Sequence, residues 1–370
     1  MRNIAIDAFC GAGGLSLGFS QAGLDVAFAF DLDETALKTY QANLKHQSRK
    51  LDANQLTAKA LLAAAGLKKG EVSVLAGGPP CQGFSIQRRG KDQDERNDLL
   101  FRFIKWVDFI EPAYFLIENV SGLRGKRGQK HLSSFIRATE SLGYHCHTKL
   151  LNVADYGLAQ IRKRLVIVGE RPVNGGIFFS FPKATHSQDS WVTVRKAIHE
   201  LPSPPADGSE HPDWPNHRCD RLSAKNKLRI SHVPEGGGRE DIPVSLRLKC
   251  HQVSPDKAGH RYVYGRLAWD RPAGTITARF DSLTRGRFGH PSEDRTISLR
   301  EGARLQGFPD EFVFSGTKVE VARQIGNAVP PPLAFQLGTA LLRAIKLRMD
   351  ISNQEPGTST VLQKSFGWAI

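Results

Sequence analysis

The sequence predicts an α/β fold, a sheet with helices on both faces carrying a smaller loop-rich domain. Three observations carry this expectation. Short apolar runs alternate with helix-period segments through residues 1–170, as strand–helix–strand units require. After Pro182 the texture turns to Pro, Gly, His and Arg without a long amphipathic period, as in Leu201-Pro202-Ser203-Pro204-Pro205 and Pro234-Glu235-Gly236-Gly237-Gly238. Helical periodicity returns at residues 299–307 and 332–349.

Taken in order, residues 3–9 read as a strand, followed by a glycine-rich turn and a helix near 15–22. Residues 25–30 read as a second strand with a helix near 34–44, and 72–76 as a third strand. A helix at 99–109, a strand at 114–117, a helix at 129–142 and a strand at 165–169 complete the alternation, which argues for a parallel sheet. The domains expected are 1–182 for the sheet layer, 183–290 for the loop-rich domain and 291–350 for a return segment that completes the first. Residues 351–370 read as a polar tail, expected to be poorly ordered.

The 370 residues include 51 Lys and Arg against 37 Asp and Glu, a formal net charge of +14. Residues 1–170 hold 23 basic and 17 acidic side chains, residues 171–298 hold 20 and 14, and residues 299–370 hold 8 and 6. The excess is therefore spread along the chain rather than gathered in a tail, and it points to a polyanionic partner, nucleic acid first. No apolar run approaches the roughly 18 residues of a membrane span, and Asp7 interrupts the apolar start that would otherwise suggest a signal peptide. Five scattered cysteines, an odd number, suit a reducing compartment, and a cytoplasmic, nucleoid-associated protein is expected. His145-Cys146-His147, His217-Arg218-Cys219 and Cys250-His251 lack paired Cys-x-x-Cys spacing, so no metal site is expected.

Two motifs carry the chemistry. Asp7-Ala8-Phe9-Cys10-Gly11-Ala12-Gly13-Gly14 follows a strand and opens a helix, so its backbone can approach a nucleoside or its tail closely. A dinucleotide enzyme would offer something similar. The second strand runs into Asp31-Leu32-Asp33, a natural place for a carboxylate to take two ribose hydroxyls. Gly77-Gly78-Pro79-Pro80-Cys81-Gln82-Gly83-Phe84-Ser85 is more specific: it places a cysteine in a rigid turn at a strand end. A thiolate nucleophile needs that setting, and a cysteine kept as a small hydrophobe does not.

With this segment the sequence resembles the DNA cytosine-5 methyltransferases of prokaryotic type. Further motifs follow in order: Glu118-Asn119-Val120, Gln160-Ile161-Arg162-Lys163-Arg164, Arg300-Glu301-Gly302-Ala303-Arg304-Leu305-Gln306-Gly307-Phe308-Pro309, and Gln324-Ile325-Gly326-Asn327-Ala328-Val329-Pro330-Pro331. The matches cover residues 1–170 and 299–345, and the unmatched middle falls where this family keeps its target-recognition region. The resemblance implies a Rossmann-like mixed sheet, S-adenosylmethionine as cofactor, double-stranded DNA as substrate, and a restriction endonuclease acting on the same site. It also implies that Cys81 adds to cytosine C6, Glu118 serves N3, Arg164 meets O2, and Arg162 orders the site around Glu118 and the base. For the cofactor it implies Phe9, Gly11, Gly13, Asp31, Asp52, Pro79, Leu99 and Asn327. Asp31 stands where many members carry Glu, Leu32 where some carry an aromatic, and the surroundings of Asp52 match loosely.

A base stacked in a duplex is out of reach of Cys81, so the target must be flipped out and covered. Residues 83–98, polar and glycine-containing, read as a lid over the DNA backbone, with Ser85, Arg88 and Arg89 as DNA contacts. Arg261, Arg266, Arg279, Arg285 and Arg287 are the expected contacts from the middle domain, since Arg pairs bidentately with guanine or binds phosphate. A methyltransferase of the same fold acting on RNA, and a silent DNA-binding homologue, are the alternatives. The target sequence is not legible.

Overall fold

The computed structural model describes residues 3–80, 98–125, 128–248 and 262–352. Among them, seven strands form one sheet: β1 (Ile4–Ala8), β2 (Asp25–Asp31), β3 (Ser48–Lys50), β4 (Val74–Gly77), β5 (Tyr114–Val120), β6 (His145–Asn152) and β7 (Lys163–Glu170). Their spatial order is β3-β2-β1-β4-β5-β7-β6. β1 and β4 are buried at every position, as strands covered on both faces must be. The sheet is parallel from β3 to β5, whereas β7 runs antiparallel to both β5 and β6. The sheet is therefore mixed, as the family resemblance implies, whereas the alternation alone argued for a parallel one. Only one turn of 3-10 helix, Val153–Tyr156, lies between β6 and β7, and a parallel pairing would need a long crossover.

The helices of the first half are α1 (Gly14–Ala22), α2 (Glu34–Asn43), α3 (Ala58–Ala65), α4 (Asp98–Ile110) and α5 (Gln129–Ser141). The middle holds only α6 (Val194–Ile198) and α7 (Ala224–Ser231) as α-helices among the described residues. The return segment supplies α8 (Leu299–Leu305), α9 (Lys318–Asn327) and α10 (Pro331–Ser352).

Alternation along the strands divides the core between two faces. Phe115 and Ile117 of β5 and Leu165 and Ile167 of β7 pack with Leu61 of α3, Phe103 and Trp106 of α4 and Phe135 of α5. Their neighbours Tyr114, Leu116, Val166 and Val168 pack on the other face with Leu15 and Phe19 of α1 and Leu333, Leu337 and Leu341 of α10. The glycines of α1 make that second layer fit. A Cβ at Gly14 would lie 2.2 Å from the Val329 carbonyl, and one at Gly18 would lie 2.4 Å from that of Pro331.

A third core joins the middle of the chain to the sheet layer. Val194, Ile198, Leu267, Ala273, Ile276 and Phe280 are buried with Leu299, Ala303, Val321 and Ile325, and with Leu37 and Tyr40 of α2. A separate small core contains Ile230, Val233, Ile242, Val263, Tyr264 and Leu283. Of the expected tail, residues 351 and 352 close α10, and residues 353–370 lie outside the described residues.

Candidate active site

Strand order reverses direction between β1 and β4, and in open α/β sheets the crevice at such a switch point receives the ligand. A cavity of about 570 Å³ opens there, at the ends of β1, β2, β4 and β5. The loop after β1 bends sharply, with Phe9 at φ 61° and Gly11 at φ 52°. The Phe9 ring is held in the wall at 5.9 Å from both Phe30 and Trp106. The Gly11 amide donates to Asp31 Oδ2 at 2.9 Å, and the Asp33 amide to Oδ1 at 2.8 Å. Burial, opposed by these amides, leaves the Asp31 carboxyl above its ordinary range.

Phe9, Gly11, Asp31, Asp52, Pro79, Leu99 and Asn327 all line this cavity. Asp52 accepts from the Asn54 amide at 2.9 Å, closing a turn, and the Pro79 carbonyl accepts from Asn119 Nδ2 at 3.1 Å. Gly13 is a correction. It does not line the cavity; it lies at φ 99° with its missing Cβ aimed at Leu44 Cδ1, 2.6 Å away, and Tyr40 Cδ2, 2.8 Å away. Its lack of a side chain lets α1 approach α2.

Glu118, Arg162 and Arg164 line the same cavity. Arg164 Nε lies 2.7 Å from Glu118 Oε1. Arg162 is 1% exposed and donates to the carbonyls of Ile276 at 2.8 Å, Gly326 at 2.9 Å and Ala328 at 3.3 Å. Burial, with Arg164 nearby, lowers its proton affinity well below the ordinary guanidinium range. Arg164 makes the close contact with Glu118, while Arg162, whose charge Glu118 also favours, ties the return segment and the middle of the chain to the site.

Pro79 and Pro80 line the cavity immediately before Cys81. Cys81, Ser85, Arg88, Arg89 and Arg261 lie outside the described residues, as does the expected lid apart from residue 98, which opens α4. In the middle of the chain Arg285 is exposed, and Arg279 is exposed with Nε 3.0 Å from Asp281 Oδ1. Arg287 donates to the Gly237 carbonyl at 2.8 Å and stands over the Tyr262 ring. Arg266 corrects the expectation of a DNA contact. It is 4% exposed, and its guanidinium donates to the carbonyls of Val233 at 2.6 Å and of His290 and Ile230 at 2.9 Å, and pairs with Asp294. Those bonds hold the small core together and leave nothing for a base.

Two features escaped the sequence reading. Asp7 lines the cavity at 1% exposure; its Oδ2 accepts from Ser16 Oγ at 2.6 Å, and its Oδ1 has no hydrogen-bond partner among the described residues. Burial pushes this carboxyl up to about 7, against the lowering effect of Ser16. A charged residue in the middle of an apolar strand was the available signal. At the rim, Arg323 of α9 pairs with Asp33, the N-cap of α2, at 2.7 Å.

The model of the C-5 cytosine-specific DNA methylases matches residues 4–343. The chain belongs to that family. It is a DNA (cytosine-5)-methyltransferase. The methyltransferase is 36% identical to the Type II methyltransferase M1.HphI of Haemophilus parahaemolyticus over 91% of this chain and 86% of that protein. It is 34% identical to the Type II methylase M.HgiDII of Herpetosiphon aurantiacus over 94% and 96% of the two chains. A solved Escherichia coli prophage chain, described as a candidate DNA modification methyltransferase, superposes with a TM-score of 0.66 at 26% identity, covering 93% of this methyltransferase and 99% of that chain.

Methyltransferases of this family depend on S-adenosylmethionine, and the residues of the cavity fit it. The unpartnered buried oxygen of Asp7 suits a cationic group, and Asp31 at the end of β2 suits ribose hydroxyls. Among the described residues, no helix of the methyltransferase is long and apolar enough to cross a membrane, and no group of three or more His, Cys, Asp or Glu could hold a metal ion.

Proposed function

We propose that this methyltransferase methylates C5 of a cytosine flipped out of a specific duplex DNA sequence, through a covalent Cys81–C6 intermediate. In its host it would act as a modification enzyme, protecting DNA from a restriction endonuclease of the same specificity. One observation carries the reading: Glu118 and Arg164 project from neighbouring strands into the cavity lined by Pro79 and Pro80, the two residues that precede Cys81 in the sequence.

Cytosine C5 is a weak nucleophile until a thiolate adds to C6. The Cys81 thiolate forms the Sγ–C6 bond, and the displaced π electrons make C5 an enamine carbon conjugated to N3. Glu118 shares a proton with N3, and Arg164 donates to O2, so the ring's developing charge is met at both atoms. S-adenosylmethionine supplies an electrophilic methyl group on sulfur when bound. That methyl group would end on C5, its former bonding pair left on the sulfur. A base then removes the C5 proton, the C5–C6 double bond re-forms, and Cys81 leaves as thiolate. Phe9, Leu99 and Pro79 would pack along the cofactor, Gly11, Asp52 and Asn327 would meet its polar edges, and Asp31 would take its ribose hydroxyls. Ser85, Arg88, Arg89, Arg261, Arg279, Arg285 and Arg287 remain the proposed DNA contacts.

Bisulfite mapping of DNA from cells expressing the gene tests this. Protected cytosines at one recurrent sequence, absent when Cys81→Ser is expressed, are expected. Unprotected DNA together with new 5-methylcytosine in RNA would overturn the DNA assignment.

A further inference from the structure

We propose that Asp7, Ser16, Tyr40 and His46 form a proton relay from the cofactor cavity to the protein surface, and that cofactor binding drives one proton along it from Asp7 to His46. The proposal rests on the reading of this cavity as the S-adenosylmethionine site.

The links are continuous. Ser16 Oγ is 2.6 Å from Asp7 Oδ2, Tyr40 OH is 2.9 Å from Ser16 Oγ, and Tyr40 OH is 3.0 Å from His46 Nδ1. Beyond the ring, His46 Nε2 lies 2.9 Å from Ser20 Oγ. Ser16 and Tyr40 are 0% exposed, so the chain passes through the α1–α2 interior, whereas His46 is half-buried after α2. Both intermediates are hydroxyls, and a hydroxyl donates one hydrogen while accepting another. The chain can therefore point inward, with His46 Nδ1–H donating to Tyr40, or outward, with a protonated Asp7 donating to Ser16. Reversing it breaks the Asp7 O–H bond and makes a His46 N–H bond. Ser16 and Tyr40 each give up one proton and gain one.

The ends of the relay are poised to trade. Burial, with help from the Asp31 charge on β2 and against the Ser16 hydroxyl, holds the Asp7 carboxyl near neutrality at about 7. Cys10, in the loop beside it, is pushed up by burial and by Asp7 and Asp31, so it stays a neutral thiol. Burial lowers the His46 imidazole, and Asp25, which faces it from the start of β2, opposes that. Burial raises Tyr40, so its hydroxyl passes protons without ionising. A cationic group brought against the unpartnered Asp7 Oδ1 favours the carboxylate, and the displaced proton then has a hydrogen-bonded route to His46. Because Ser16 and Tyr40 are wholly buried, that route does not depend on water in the cavity.

The test is the ring nitrogen-15 spectrum of His46 at pH 6.5, assigned with His46→Gln, while calorimetry follows S-adenosylmethionine binding. In the wild type, saturation should move the His46 signals toward the imidazolium form. Tyr40→Phe and Ser16→Ala, two independent breaks in the chain, should bind S-adenosylmethionine within about fivefold of wild type and leave His46 unmoved. Asp7→Asn should leave it unmoved as well. A His46 response that persists in both Tyr40→Phe and Ser16→Ala, or wild-type binding with no response, overturns the relay. A wild type that binds no S-adenosylmethionine overturns the reading of the cavity and the relay with it.

Discussion

Arg164 and Glu118 meet at 2.7 Å as a diagonal pair across the antiparallel β5–β7 ladder, in which Val120 faces Arg164 and Glu118 faces Val166. Diagonal neighbours on one sheet face are within reach of long side chains, so the pairing follows from register. The side chains are only 12% and 9% exposed, so each leaves the other in a dry site when it is removed. Glu118→Gln keeps the shape and can still hydrogen-bond at N3 but cannot transfer a proton to it. Single-turnover methylation should fall by about two orders of magnitude or more, while calorimetry shows cofactor affinity within a few-fold of wild type. A parallel loss of cofactor binding would assign Glu118 a structural role instead.

The buried carboxyl of Asp7, with one oxygen bonded to Ser16 and the other without a partner among the described residues, has a consequence for stability. Its folded value of about 7 stands above the unfolded value of 3.8, so the native state binds more protons between those limits, and stability is lost as pH rises through them. A shift of roughly three pH units corresponds to about 4 kcal/mol. The cofactor-free Asp7→Asn protein should therefore be more stable than wild type at pH 8, with the advantage fading toward pH 4. Urea denaturation at both pH values measures it, and an advantage independent of pH would contradict the account.

In the parallel part of the sheet β1, β2, β4 and β5 were legible as short, mainly apolar runs ended by turn residues, with Asp31 and Glu118 where two of those runs stop; β3, Ser48-Arg49-Lys50, has no apolar residue and was not legible. β6 was not legible. His145–Asn152 is an edge strand exposed along much of its length, and its polar sequence shows no buried run. α9 was read only as a motif around Gly326 and Asn327, since its helical start depends on the Thr317–Glu320 capping box. The pattern placed Arg162, Arg164 and Glu118 near one another but could not say which arginine reaches the carboxylate, because that is set by cross-strand register. Nor could composition separate Arg266, wrapped in carbonyl groups, from the exposed Arg285.

Arg266→Ala and Arg285→Ala should therefore behave differently. Removing Arg266 strips several buried carbonyls and Asp294 of their donor, and should cost about 3–5 kcal/mol in urea melts. Arg285→Ala should leave stability within about 0.5 kcal/mol and weaken DNA binding in a gel-shift titration. Equal stability losses would contradict the placement.

The close approach of α10 to α1 makes Gly18 a packing residue. Gly18→Ala would bring a Cβ to 2.4 Å from the Pro331 carbonyl and 2.5 Å from Ala334 Cβ, forcing the helices apart. A loss of about 1–3 kcal/mol is expected, against the gain that Gly→Ala ordinarily brings within a helix. A melting temperature at or above that of wild type would show that the layer yields freely.

The central claim is that Cys81 adds to the target base in the site shared by Glu118 and Arg164. Duplex DNA carrying 5-fluorocytosine at the mapped target tests it most directly, because fluorine at C5 blocks the final proton removal and strands the adduct. Incubation with S-adenosylmethionine should give a denaturation-stable protein–DNA adduct, with the modified peptide identified by mass as the one containing Cys81, and Cys81→Ala should bind the duplex without forming it. An adduct formed by the Cys81→Ala protein, or attached at another residue in the wild type, would contradict the account.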